Sequence, residues 1–232
     1  MEIGSNVPFG LFVTATDTDA GKTAVAVAMV RHLRSIGRRV GVYKPAASGG
    51  DGDPRALWEA AGRPGRLADV CPQVFAAPIA PHHAARLEGR TVDEALLRRG
   101  IEPWLATADI VVVEGAGGLC SPLGDRADNA AVARDLGLPL VVVDAARLGA
   151  VGRTLATVRA ARAENLVVAA IVLSHVAAPD GPEHDLRTTA GIARAAGEDL
   201  ATRLPGVPVA VLRHGSDVIE PAIDWESLAA GL

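Results

Sequence analysis

Aromatic residues make up only 3% of this 232-residue chain. Large planar side chains therefore cannot dominate a core, and Ala, Val and Leu must fill it. The hydrophobic share of 49% supplies enough of them for a large α/β core. Cysteine is scarce as well. Cys71 and Cys120 show neither Cys-x-x-Cys nor Cys/His ligand spacing, which argues against structural zinc, and two free thiols suit a reducing compartment. No apolar run approaches the roughly 18 to 20 residues that span a bilayer. Residues 1–10 hold no basic stretch ahead of an apolar one, so no secretory signal is expected. Net charge is −4 with basic residues scattered, so no nucleic acid or anionic membrane is expected as a partner. These absences together point to a cytoplasmic protein.

The chain does show a regular alternation. Short β-branched runs at 10–14, 39–43, 109–113, 139–144, 167–173 and 207–212 read as strands. Four of them are almost continuously apolar, as in parallel strands covered on both faces. Helical stretches are predicted at 22–35, 54–61, 91–105, 129–136, 151–163 and 186–204, with a short one from Trp225. The alternation predicts an α/β three-layer architecture: a mostly parallel sheet, right-handed crossovers and helices on both faces. The Pro/Gly-rich connections are too short to be domain linkers, and no internal repeat occurs, so one domain over 1–232 is expected.

The first predicted strand runs into a helix through Thr14-Ala15-Thr16-Asp17-Thr18-Asp19-Ala20-Gly21-Lys22-Thr23. Gly21 lets backbone N–H groups turn toward a phosphate, and the helix start adds partial positive charge. Lys22 can reach terminal phosphates, while the Thr23 hydroxyl can ligate Mg²⁺. The strict phosphate-loop spacing is not met, because Thr16 stands where its first glycine belongs. Asp17 and Asp19 add carboxylates to a loop that should cradle anions. They suit contact with a metal or a cationic substrate, or one of them caps the helix.

Two further strand ends carry chemistry. Val113-Glu114-Gly115-Ala116-Gly117-Gly118 places an acid at the tip of an apolar run, where a carboxylate can hold Mg²⁺ beside a phosphate loop. Val42-Tyr43-Lys44-Pro45 places a lysine at the neighbouring tip, aimed at the same crevice and suited to charge developing on a transferred group. Asp51 and Asp53 follow in a Gly-rich loop, either as helix caps or as metal oxygens.

These motifs, with Phe75-Ala-Ala-Pro-Ile-Ala-Pro-His82 and Ala84 between them, together resemble the dethiobiotin synthetases over the chain to about Thr157. The resemblance implies an ATP-dependent ligase that closes a ureido ring from 7,8-diaminononanoate and CO₂ in biotin biosynthesis, working as a homodimer. Lys22, Lys44 and Thr18 would serve catalysis. Asp19, Ala20, Gly21, Lys22, Thr23, Ala24, Glu114, Gly117 and Ser174 would bind the nucleotide. Thr18, Asp19, Lys44, Ser48, Gly149, Ala150 and Val151 would bind the diamine, the last three by closing the partner's site. Thr23, Asp53 and Glu114 would hold Mg²⁺. A cationic diamine also accounts for the acidic loop.

Some positions depart from the family pattern. Ala15 replaces a loop glycine, which should restrict the turn. Gly152-Arg153 stands in place of Asn-His, which weakens the case for a substrate-carboxylate site there, and Ser174-His175 stands in place of an Asn near the base, so nucleoside triphosphates other than ATP are open. Partition-type ATPases share the fold but carry a second lysine early in the loop, and residues 15–20 have none. An amide ligase acting on another amine remains a rival. The six histidines lack zinc spacing, and His82 is expected to be structural. No Gly-x-Ser-x-Gly elbow occurs. Cys120 is expected to be a small packing residue.

Overall fold

The computed structural model describes residues 9–230. The reading of residues 1–10 therefore lies, up to residue 8, outside the described residues. Every predicted strand is present. β1 (Gly10–Ala15), β2 (Val40–Tyr43), β5 (Ile110–Glu114), β6 (Leu140–Ala145), β7 (Val168–Ser174) and β8 (Val209–Leu212) pair in parallel. The order is β2-β5-β1-β6-β7-β8-β9, with β9 (Ile219–Glu220) antiparallel at one edge. All positions of β1, β5, β6 and β7 are buried, which is why their sequences are continuously apolar. β8 alternates between buried and half-buried positions, as suits a strand near the edge.

Helix α1 (Lys22–Ser35) carries the chain from β1 out to β2. Helices α7 (Asn129–Leu136), α8 (Ala150–Ala163) and α9 (Thr189–Arg203) carry it the opposite way, to β6, β7 and β8. Right-handed crossovers in opposite directions place helices on opposite faces, so the sheet is sandwiched. The same reversal spreads the loops after β1 and β6 apart. It leaves a crevice beyond the carboxyl ends of the strands, where ligands of such sheets bind.

Some predicted helices change. The stretch 91–105 is two single turns, α5 (Leu96–Arg99) and α6 (Glu102–Leu105). Pro103 cannot continue a helix from the preceding turn. The buried Tyr43 hydroxyl also donates to Leu96 O at 2.8 Å and Leu97 O at 3.2 Å, wedging between the turns. α9 begins three residues later than predicted because Thr188 caps it, its Oγ1 accepting from Gly191 N at 3.0 Å. α2 (Gly52–Ala60) begins two residues earlier than predicted. Short elements escaped the sequence: α3 (Leu67–Val70), α4 (Pro81–Leu87), and the two-residue strands β3 (Ala47–Ser48) and β4 (Val74–Phe75), which form their own ladder. α10 (Trp225–Ala229) stands where Trp225 suggested. Among the described residues, no helix is long and apolar enough to cross a membrane.

The β2–β5 pair begins at a charged clasp. Asp109 accepts from Arg39 N at 2.8 Å and from the Arg39 guanidinium, which brings Arg39 and Asp109 into register just ahead of the two strands. These bonds hold the Asp109 carboxyl down from 3.8 to about 2. A depressed carboxyl contributes stability that is complete above its unfolded value and is lost as pH falls through the folded one. Asp109→Asn should therefore lower stability at neutral pH and flatten its decline between about pH 4 and about pH 2. Urea unfolding midpoints across that range test this, and parallel wild-type and variant curves would refute it.

Candidate functional site

The loop between β1 and α1 forms one wall of a cavity of about 1050 Å³. Ala15 ends β1 in extended backbone, and neither it nor Thr16 has a positive φ. The glycines missing from these two positions are therefore not required, and the expected restriction of the turn does not arise. The left-handed glycine of the loop is Gly21, with φ 90°, packed against Ser174 so closely that a side chain would collide with the serine. No side chain caps α1. Of the two readings of Asp17 and Asp19, helix capping is excluded: Asp17 Oδ1 accepts from Thr18 N at 2.7 Å, and Asp19 is exposed at φ 55°. The first-turn N–H groups of α1 therefore remain available beside the cavity that Lys22, Thr23 and Ala24 line.

Opposite this loop, Lys44 is 2% exposed and Glu114 is fully buried. Lys44 Nζ lies 2.6 Å from Glu114 Oε1 and 3.0 Å from Asp53 Oδ2. The Thr23 hydroxyl donates to the same Glu114 oxygen at 2.8 Å. Lys44 is thus a fully paired interior cation, not a surface lysine with its head in water. Burial alone would pull its pKa down, but the Glu114 and Asp53 carboxylates overrule that and hold it above the usual lysine value. Lys22 shows the opposite balance. Burial is the largest influence and the Lys44 ammonium adds to it, and together they outweigh Glu114, Asp53 and Asp19, so the Lys22 pKa falls. Among the described residues no carboxylate lies within 4 Å of its ammonium. Lys22 is therefore a buried cation still in need of an anion.

Asp51 and Asp53 also separate here. Asp51 sits at the N-cap of α2 without capping it, because its carboxylate pairs with Arg55 at 2.5 Å. Asp53 turns inward to Lys44, and although burial opposes this, Lys44 holds its carboxyl below the usual range. Glu114 Oε2 is buried without a partner. Among the described residues no three His, Cys, Asp or Glu side chains converge as a metal cage. The available oxygens are instead two carboxylates and one hydroxyl, which fits Mg²⁺, a metal that keeps waters and phosphate oxygens for its remaining positions.

The glycine turn after β5 is held from below. Asn129, fully buried at the start of α7, donates to Ala116 O and Gly118 O at 2.8 Å and accepts from Ala116 N at 3.1 Å. Ser121 Oγ accepts from Gly118 N at 2.8 Å. The sequence reading missed Asn129, since an Asn opening a helix carries no mark of a role outside that helix.

Most of the expected site residues converge on this cavity. Thr18, Asp19, Gly21, Lys22, Thr23, Ala24, Lys44, Ser48, Asp53, Gly117 and Ser174 all line it. Glu114 reaches it from behind, through Lys44 and Thr23. Ala20 is buried beneath the loop and does not line the cavity. Gly149, Ala150 and Val151, at the start of α8, do not line it either. His175, Val176, the turn 213–217 and residues 78–81 complete the lining, with Val176 lying beside Gly21. His82 does not line it, and its Nδ1 is buried without a partner. Cys120 is exposed, which corrects the packing role expected of it.

A family profile described as an AAA domain matches residues 10–211. The ATP-dependent dethiobiotin synthetase BioD of Anaeromyxobacter dehalogenans is 45% identical over 203 residues, covering 86% of this chain and 91% of that protein. The protein of the same name from Caulobacter vibrioides is 41% identical, covering 80% of this chain and 86% of its own length. That from Rhodopirellula baltica is 38% identical, with 88% and 84% covered. Among solved structures, the signal recognition particle receptor FtsY from Elizabethkingia anophelis in complex with GDP superposes with a TM-score of 0.54 at 15% identity. It covers 96% of this chain but only 62% of the receptor, and at that identity it speaks for the fold alone.

The buried Lys44–Glu114 pair has a stability consequence. Lys44→Met leaves Glu114 in the interior without its closest cation and should cost about 3 kcal/mol or more. Adding Glu114→Gln to Lys44→Met should return part of that loss. Denaturant unfolding of the three proteins checks both, and a loss under about 1 kcal/mol for Lys44→Met would contradict the pairing.

Proposed function

Because the chain belongs to the ATP-dependent dethiobiotin synthetase family, we propose that it closes the ureido ring of dethiobiotin from 7,8-diaminononanoate, CO₂ and ATP. It is an ATP-dependent ligase. In the proposed sequence one amine adds to CO₂ and loses a proton, giving a carbamate. A carbamate oxygen attacks the γ-phosphorus as ADP leaves. The second amine then attacks the carbamoyl carbon, loses a proton and expels phosphate, closing the ring.

The observation that carries this reading is the convergence of Lys22, Thr23, Lys44, Asp53 and Glu114 on one crevice, with Lys22 short of an anion. The triphosphate supplies that anion and takes up the free N–H groups at the start of α1. Lys44, already protonated among its carboxylates, stands ready for negative charge on the carbamate and the migrating phosphoryl group. Thr18, Ser48 and Asp19 line the same cavity, with Asp19 exposed to meet a cationic amine. Thr23, Asp53 and Glu114 are the residues that would hold Mg²⁺. When bound, the metal offsets phosphate charge.

The nucleotide base falls toward Ser174, His175 and the turn 213–217, a mixed polar wall that leaves triphosphates other than ATP open as substrates. Gly149, Ala150 and Val151, which do not line the cavity of their own chain, are assigned to the substrate carboxylate of a partner subunit in a homodimer.

Incubation with diaminononanoate, bicarbonate, Mg²⁺ and ATP should yield a ureido product, and its absence would refute this function. Lys22→Ala should lower turnover by about 10²- to 10³-fold while leaving the unfolding midpoint near that of the wild type. Thr23→Val should shift the Mg²⁺ titration of activity to higher concentration. An unchanged titration would remove Thr23 from the metal site.

A further inference from the structure

A second buried carboxylate lies outside the machinery proposed above. Asp144 is 1% exposed at the tip of β6. A carboxylate so placed needs strong donors. Its Oδ1 accepts from Thr16 Oγ1 at 2.5 Å and from Arg153 Nε at 3.0 Å, while Thr154 Oγ1 lies 3.4 Å from Oδ2. Thr16 opens the β1–α1 loop, and its N–H also donates to Val143 O at 3.0 Å. The loop is therefore bonded twice to the end of β6, once by backbone and once by side chain.

Arg153, one turn into α8, spends its other guanidinium nitrogens on the turn that leads into that helix. Nη1 donates to Leu148 O at 3.0 Å and Nη2 to Ala145 O at 3.2 Å. A side chain at Gly149 would come within 2.9 Å of Nη1, so the guanidinium lies packed under the turn. One planar group thus grips both ends of the 145–148 turn and the carboxylate that holds Thr16. Neither Arg153 nor Asp144 lines the cavity.

The geometry points to Asp144 and Arg153 as positioning residues that join the phosphate loop to the entry of α8, so that loosening one disturbs the other. This rests on the assignment of the β1–α1 loop to the nucleotide and of the α8 entry to the substrate carboxylate. Fixing both walls before the ligands arrive lowers the ordering cost of binding, so loosening them should weaken binding first. The relay also gives Thr16 a reason. A glycine there would leave the Asp144 carboxylate without the hydroxyl donor.

Arg153→Met removes the charge-assisted bond and both carbonyl contacts while keeping an aliphatic stem. Nucleotide affinity, measured by calorimetry without diamine, should weaken about tenfold although the residue does not line the cavity. KM for the diamine should rise by a similar factor, with kcat changed much less. Arg153→Lys keeps the charge but not the fork, and should fall between. Thr16→Val, tested alone and with Arg153→Met, should give a combined loss of nucleotide affinity smaller than the product of the two, because both act through Asp144. Lower thermal stability with unchanged nucleotide affinity and unchanged KM would overturn the proposal, as would strictly multiplicative effects. If Arg153→Met fails to fold, Thr16→Val and Arg153→Lys still decide it. A wild-type protein that makes no ureido product would sink the proposed function, while the calorimetric coupling between Thr16 and Arg153 would still be read.

Discussion

A lysine with 2% of its surface exposed keeps its charge in a protein interior only where fixed negative charge replaces water. Lys44 meets that condition through Glu114 and Asp53, which arrive from a strand tip and from the helix after β2. Much of the surrounding architecture follows from keeping these three groups together. β2 and β5 must be neighbours for Lys44 and Glu114 to meet, and the parallel register sets their tips side by side. α2 must start early, at Gly52, for Asp53 to reach inward. The glycine turn after β5 must then leave at once, which Asn129 enforces from α7.

The two lysines of this crevice are tuned in opposite directions by the same set of neighbours. Lys44 is drawn up by two carboxylates in contact. Lys22 is drawn down by burial and by Lys44 itself. Lys22 Nζ has only the Asp17 carbonyl at 3.5 Å and no carboxylate, so a site with one charge-paired and one unpaired cation has a built-in preference for an anionic ligand at the second. The open N–H groups at the start of α1 strengthen that preference at the same point. No helix cap competes for them, because Asp17 folds onto Thr18 instead.

What could be read from the sequence depended on whether a residue's role was local. The strands were legible because both faces of the sheet are covered, which forces unbroken apolar runs. α1 was legible to the residue, since Gly21 sits directly before it. The stretch 91–105 misled because its helical composition is local, whereas the break comes from Tyr43, a residue from another strand. β3, β4 and β9 are two residues each, too short for any periodicity to show. Lys44, Glu114 and Asp53 could be marked as candidates from their strand-tip and loop positions, but their mutual contact could not. Asp144 carried the same mark as Glu114, an acid closing an apolar strand, and could have been found by it.

Asp144 and Glu114 therefore form a pair of parallel solutions to one problem. β1 lies between β5 and β6, and each flanking strand ends in a buried acid. Each acid accepts from a threonine at one border of the β1–α1 connection, Thr23 in the first turn of α1 on one side and Thr16 directly after β1 on the other. Each is also met by a cation from outside that connection, Lys44 or Arg153. The phosphate loop is thus tethered at both ends by hydroxyl-to-carboxylate bonds. A loop rich in small residues would otherwise lose considerable conformational entropy on gripping a ligand. Fixing it beforehand lowers that cost at binding, in line with the general advantage of preorganised sites. The asymmetry lies in the cations. Lys44 stands at the cavity and can answer charge there, whereas Arg153 is fully engaged with its own turn and serves only to hold.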